Sequence, residues 1–249
     1  MTRAFRLEVR KLKRTRLWVP VGAVLVFESG WVMAALVRTF AQQGEVARDT
    51  GYVLGQLIQV HGLFAPILVA VIASRLSAVE HEADMVKQLF AMNQSRQSLF
   101  RAKFATVLIV VLLYTAAGGA LLLAFGSMTG VAARWELIGI FLSGLIAANL
   151  APISIHLLLA LLIARQAVTL GLGIVGGVLG TFVGFVPTAV SLAVPWHHYG
   201  VVNPVRMEVE NGSVTGFPAV SGTEIHVAVV AVVGAVLFCT SQWIYRRSA

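Results

Sequence analysis

From Ala105 to Phe125 the chain reads ATVLIVVLLYTAAGGALLLAF, an unbroken run without a charge. At 1.5 Å per residue a helix of that length covers about 30 Å, the thickness of a bilayer's hydrocarbon core. Runs of similar length recur on both sides, at about 17–37, 52–74, 137–164, 167–186 and 225–245, so six crossings are expected. Composition agrees: 58% of the 249 residues are hydrophobic and 12% charged, with a mean hydropathy of +0.84. A soluble domain is about 45–50% apolar and about 25% charged. A soluble enzyme and a disordered tail are therefore excluded, and the expected fold is an all-α integral membrane protein, a single domain over 1–249. The one cysteine, Cys239, lies inside the last apolar run, which leaves no intrachain disulfide and no thiol metal cluster.

The formal net charge of +8 speaks to topology and not to nucleic acid. With both ends on one side, that side holds seven basic residues before the first span (Arg3, Arg6, Arg10, Lys11, Lys13, Arg14, Arg16). It also holds five between the second and third (Arg75, Lys87, Arg96, Arg101, Lys103), together with Arg165, Arg246 and Arg247. The opposite side holds Arg38, Arg48, Arg134 and Arg206. Translocation disfavours Lys and Arg in short loops, so both termini are expected in the cytosol of a cell, most simply a bacterial one with this chain in its plasma membrane. The first run is too long for a signal-peptide core and carries Glu28 in its middle, so it reads as a retained span. Ahead of it, within 1–16, Phe5, Val9 and Leu12 recur at helical spacing among cations. That pattern suits a helix in the membrane interface, against lipid headgroups; a basic leader that only sets topology is the alternative.

Residues 75–103 form a long polar interruption between the second and third spans. Val79, Met85, Val86, Leu89 and Phe90 fall near one helical face, Asn93-Gln94-Ser95 reads as a break, and Leu99-Phe100 restarts an apolar stripe. Two short helices joined at a turn suit a docking element. His81-Glu82 lacks the second histidine of a zinc helix, so no metal site is read there.

In this loop the chain resembles type-2 ATP-binding-cassette (ABC) exporter permeases, particularly the lantibiotic-immunity subgroup. The matching features are Glu80-His81, Lys87 with Leu89, the Ser95-Arg96 turn, and Leu99-Phe100 with Lys103. The basic amphipathic start, the six-span layout and Pro195-Trp196 extend the likeness over nearly the whole chain. The resemblance implies a coupling helix carrying Glu80, His81, Glu82, Lys87 and Leu89, seated in a groove of a cytosolic ATPase dimer. It implies ATP and Mg held by that partner and no cofactor on this chain, a second permease subunit of the same or a related kind, and an outer gate at Pro195 and Trp196. An antimicrobial peptide or other amphipathic molecule is the implied cargo.

Within the spans, Glu28 lies about 15 Å from the cytosolic edge, near mid-bilayer. A charge there costs on the order of 2.5–3.5 kcal/mol, so it is expected to face a cavity, a bundle interior or a partner. His61 and His156 are candidate partners, at depths of roughly 20 Å and 12 Å from the same edge. Glu28, His61 and His156 would then line the path of a cationic amphiphile. The alternative is a protonated Glu28 that only holds helices together.

In the fifth run Gly171-Leu-Gly173-Ile-Val-Gly176 spells a dinucleotide fingerprint, but it lacks the preceding soluble strand and the downstream acid. Gly176, Gly180 and Gly184 repeat every four residues and so serve close helix approach, at a dimer seam or inside the subunit. Between 187 and 224 the prolines and aromatics predict a re-entrant or external segment, with Trp196 and Tyr199 at headgroup level. His197-His198 is expected to be solvated, since further metal ligands are lacking. Asn211-Gly212-Ser213 is too short a pattern to argue from. No phosphate-binding loop and no catalytic constellation occurs, so the chain is expected to be a transport subunit and not an enzyme. The competing classes are a proton-coupled secondary transporter, which the lack of a repeat between halves disfavours, and a membrane scaffold or sensor.

Overall fold

The computed structural model describes residues 5, 8, 12, 16–82, 95–210 and 213–248. Its elements are α1 (Trp18–Gln43), α2 (Thr50–Glu82), α3 (Arg96–Met128), α4 (Trp135–Leu162), α5 (Gln166–Gly180), α6 (Thr188–Ala193) and α7 (His198–Val201), the strands β1 (Glu208–Glu210) and β2 (Ser213–Gly216), and α8 (Thr223–Arg247). Five of these helices, α1 to α4 and α8, are long and apolar enough to cross a membrane. The protein is thus an all-helical, multi-pass membrane protein apart from one short antiparallel hairpin.

The expected fifth span, 167–186, is shorter in the structure. Helix α5 has 15 residues, about 22 Å of rise against a hydrocarbon core of about 30 Å. After Gly180 the chain breaks into a turn and a 3-10 element at Val183–Phe185, and Pro187 precedes α6. The segment then folds back, and Gly180, the last residue of α5, sits against the carbonyl oxygens of Trp196 and Gly62. Helix α2 is longer than expected and continues through Glu82. Glu80, His81 and Glu82 therefore lie in its last turn, whereas Lys87 and Leu89 lie outside the described residues.

Helix α4 packs along α8, and α2 packs along both α4 and α5. Their buried side chains form two apolar cores stacked along the bundle. One, at the end carrying the hairpin, gathers Leu36, Leu54, Leu57, Phe141, Leu145 and Phe217. The other, at the end carrying both termini, gathers Leu17, Leu68, Ile72, Phe100, Val107 and Leu157. Both ends are closed by polar clasps. At the hairpin end Arg134 Nη2 donates to Asp49 at 2.8 Å and to the Phe217 carbonyl at 3.0 Å. At the other end Arg96 donates to the Ser248 carbonyl, and Arg101 donates to Gln242 at 3.2 Å. Ser95 caps α3 by accepting from the Ser98 amide at 3.2 Å; Asn93 and Gln94, the rest of the expected break, lie outside the described residues.

The N-terminal segment is tied into that end. Glu8 and Lys103 are both buried, and Lys103 Nζ donates to Glu8 Oε2 at 3.1 Å and to the Leu76 carbonyl at 2.6 Å. One ammonium therefore joins the N-terminal segment, the end of α2 and the start of α3.

Candidate functional site: a polar layer between two apolar cores

On each of α1 to α4 the apolar packing is interrupted at the same level, between the two cores. Glu28 on α1, His61 on α2, Tyr114 and Thr115 on α3, and Asn149 on α4 occupy those positions. Tyr199 reaches the layer from α7. All six are buried, and Tyr199 and Asn149 are 0% exposed.

The sequence placed Glu28 and His61 within reach of each other by depth alone, and the structure brings them into contact: His61 Nδ1 lies 2.9 Å from Glu28 Oε1. The Tyr114 hydroxyl donates to the second carboxyl oxygen, Oε2. His61 Nε2 faces Thr115 Oγ1 at 3.4 Å, and the imidazole stacks on Tyr114 with ring centroids 5.4 Å apart. Tyr199 packs edge-on against the same imidazole at 5.7 Å and donates its hydroxyl to Asn149 Oδ1 at 2.9 Å. Asn149 Nδ2 in turn donates to the Leu145 carbonyl at 2.7 Å. Both carboxyl oxygens and both imidazole nitrogens are thus engaged, which is what a buried ionisable group needs in a low-dielectric interior. Chemically the cluster can hold a proton or a charge shared between a carboxyl, an imidazole and a phenol.

His156 does not join this cluster. It lies on α4 seven residues beyond Asn149, two helical turns or about 10 Å away on the same face. There its ring meets Trp196 at 6.4 Å. Among the described residues neither nitrogen of His156 has a hydrogen-bond partner, and Trp196 Nε1 has none either. The layer and this second spot differ sharply: one is saturated, the other holds three unsatisfied polar atoms at the seam between α4 and the folded-back segment.

Trp196 also occupies the space a side chain at Gly176 would need, and a Cβ at Gly180 would come 2.9 Å from the Trp196 carbonyl oxygen and 3.0 Å from that of Gly62. Pro66 lacks the N–H that would bind the Gly62 carbonyl inside α2, and α5 approaches on that side. Gly184, by contrast, has nothing within 4 Å. Pro195 opens the 3-10 turn that presents Trp196.

Two expectations about this segment are corrected. Tyr199 is not at headgroup level, because Asn149 supplies a buried acceptor for its hydroxyl. His197 and His198 are buried and not solvated: His197 Nδ1 lies 3.2 Å from Ser191 Oγ, and His198 Nε2 lies 3.0 Å from the Leu192 carbonyl. Burial lowers the pKa of His198, the Leu192 bond pulls it back and neighbouring His197 lowers it further. Among the described residues no three His, Cys, Asp or Glu side chains gather as a metal site.

Helices that each carry polar residues into a shared layer, with a folded-back segment closing over it, define the class as a polytopic membrane protein with an internal polar centre. The family follows from the sequence itself: the chain matches the profile of the ABC-2 family transporter proteins over residues 4–183, and it belongs to that family. No curated protein and no solved structure matches it. Members of the family are the membrane subunits of ABC transporters and work with a cytosolic ATPase; they do not catalyse hydrolysis themselves. The match takes in the first four spanning helices and α5, and with them Glu28, His61, Tyr114, Thr115 and Asn149, while the folded-back segment that carries Trp196 and Tyr199 lies beyond it.

Proposed function

We propose that this chain is the permease subunit of an ABC exporter, forming half of a pathway for an amphipathic cargo such as an antimicrobial peptide. A second permease subunit, the same chain or a related one, supplies the other half. The family match over residues 4–183 carries this reading. A cytosolic ATPase dimer binds ATP and Mg and engages the 75–103 loop through Glu80, His81, Glu82, Lys87 and Leu89. Closure of the ATPase pair on ATP pushes on the loop, and the stems of α2 and α3 carry that push into the bundle.

The pathway role of Glu28, His61 and His156 is supported by burial and chemistry. A carboxyl in low dielectric favours a cationic cargo, and it becomes available when the contacts from His61 and Tyr114 open. His156 and Trp196 hold unsatisfied polar atoms that a cargo's own donors and acceptors would pair. Pro195 and Trp196 form a gate over that spot; with both termini in the cytosol of a bacterial cell, it lies on the cytosolic side of the Glu28 layer, because His156 is seven residues nearer than Asn149 to the cytosolic end of α4. Purification of the tagged chain from its own membranes in mild detergent tests the reading. The expected result is a stoichiometric ATPase with vanadate-sensitive hydrolysis, lost on changing Glu80 and Leu89 to alanine. A chain that purifies alone and without ATPase activity, in a detergent that preserves other membrane complexes, overturns it.

The contact between Glu28 and His61 favours one second reading, proton-coupled transport, because the pair can exchange a proton without a net ion in the bundle. Transport abolished by a protonophore while ATP persists would select it.

A further inference from the structure

Helix α1 carries a groove of about 670 Å³ that no other described element covers. It is lined by Phe27, Gly30, Trp31, Ala34 and Arg38 among others, and Phe27 and Trp31 are more than half exposed. Phe64 of α2 backs it, meeting Phe27 and Trp31 edge to face at 5.4 Å and 6.4 Å. At Gly30 the wall is open, since a Cβ there would meet nothing within 4 Å. From Val26 to Arg38 the lining runs along about 18 Å of helix, close to the roughly 15 Å of a single hydrocarbon leaflet. Arg38 stands at one end of this apolar trough. Among the described residues it has no hydrogen bond or ion pair, and the next two acids along the chain are committed elsewhere, Glu45 to Arg48 at 2.7 Å and Asp49 to Arg134 at 2.8 Å.

We propose that this groove seats an acyl chain of an anionic phospholipid whose phosphate rests on Arg38. An aromatic trough one leaflet long fits a single acyl chain, and a guanidinium at its mouth fits a phosphate, which it binds through paired N–H donors. A second copy of the chain is the poorer occupant. Two copies inserted the same way in one membrane would bring both Arg38 side chains to the same depth, and the lining offers no carboxylate to neutralise them. The site is independent of the cargo and of the exporter reading, since it needs only α1 in a bilayer.

Trp31 reports on the groove directly. The full chain is reconstituted in phosphatidylcholine nanodiscs containing increasing amounts of phosphatidylglycerol with brominated acyl chains, and the Trp31 signal is isolated as the difference from Trp31→Phe. Brominated phosphatidylcholine serves as the headgroup control. Saturable quenching of Trp31 is expected, with about a tenfold preference for the anionic lipid, the size of one charge-assisted hydrogen bond. Arg38→Gln should remove that preference. Gly30→Leu should fill the trough and weaken quenching by both lipids, while quenching of Trp243, exposed on α8, stays as in the parent and reports an intact bundle. Quenching that rises in simple proportion to brominated lipid, with equal effect of both headgroups, overturns the proposal, because it describes bulk lipid and no site. Trp31 shielded from both lipids, together with copy-to-copy cross-linking through Ala34→Cys in a Cys239→Ser background, overturns it in favour of a subunit interface.

Discussion

Glu8 and Glu28 are 2% and 4% exposed, yet their surroundings are opposite in kind. Glu8 faces an ammonium, Lys103, that is itself 0% exposed and also donates to the Leu76 carbonyl. Glu28 faces an imidazole and a phenol. A lysine beside a carboxylate makes a fixed pair of charges, and separating them inside the protein leaves each uncompensated. An imidazole and a phenol can balance a carboxyl with or without a net charge, so the same contacts survive a change of proton. The first arrangement suits a joint that stays closed: it holds the N-terminal segment to both stems of the 75–103 loop. The second suits a centre that changes state, and it lies where the two apolar cores of the bundle meet.

The comparison is broken most forcefully at Lys103. Lys103→Met removes the ammonium that joins Glu8 to the Leu76 carbonyl and should cost up to about 3–5 kcal/mol, read as a drop in melting temperature and protein level. Adding Glu8→Leu should recover most of that loss, since replacing both charges by apolar groups of similar size is often close to neutral. If the double variant is as unstable as the single one, the pair is not a self-contained joint.

At the second carboxyl, Glu28→Leu removes the acceptor from Tyr114 and the partner from His61 and leaves both polar groups buried. Each unsatisfied group costs about 1–3 kcal/mol, so the loss should be of the same order as that of Lys103→Met. Tyr199→Phe tests how far the layer extends. It strips the hydroxyl from Asn149 and should cost about 1–2 kcal/mol while leaving the Glu28 contacts intact. Thermal melts of the detergent-purified chain read both.

How much of this was legible in the sequence differs between the two sites. Glu28 stood out because a charge in an apolar run is costly, and matching its depth to His61 needed only the rise of a helix. Tyr114, Thr115 and Asn149 carry no comparable penalty, so each looks like an ordinary polar residue in a span until the helices are packed. Depth also says nothing of which neighbour a residue faces: His156 was grouped with Glu28, but it faces Trp196 two turns away from the layer. Lys103 was noticed for its place before the third span, but its partner Glu8 lies 95 residues away among basic residues, and no local pattern links them. The end of α5 was hidden for a similar reason. The run 167–186 carries no charge, and the close approach of Gly180 to Trp196 and Gly62, both distant in sequence, shows only once the helices are packed.

The smallest change is the most informative about function. Glu28→Gln keeps the shape of the side chain: its carbonyl oxygen can accept from Tyr114, and its amide can donate to His61 Nδ1 when the imidazole proton sits on Nε2, toward Thr115. The stability cost should therefore stay under about 1.5 kcal/mol, the net worth of one exchanged hydrogen bond. What disappears is the ability to carry a negative charge or to trade a proton. Transport that falls severalfold at unchanged protein level, with ATP hydrolysis by the complex preserved, would mean that the charge at the layer acts on the cargo. Unchanged transport would mean that Glu28, like Glu8, is a joint between helices, and the contrast between the two carboxylates would reduce to how each is neutralised.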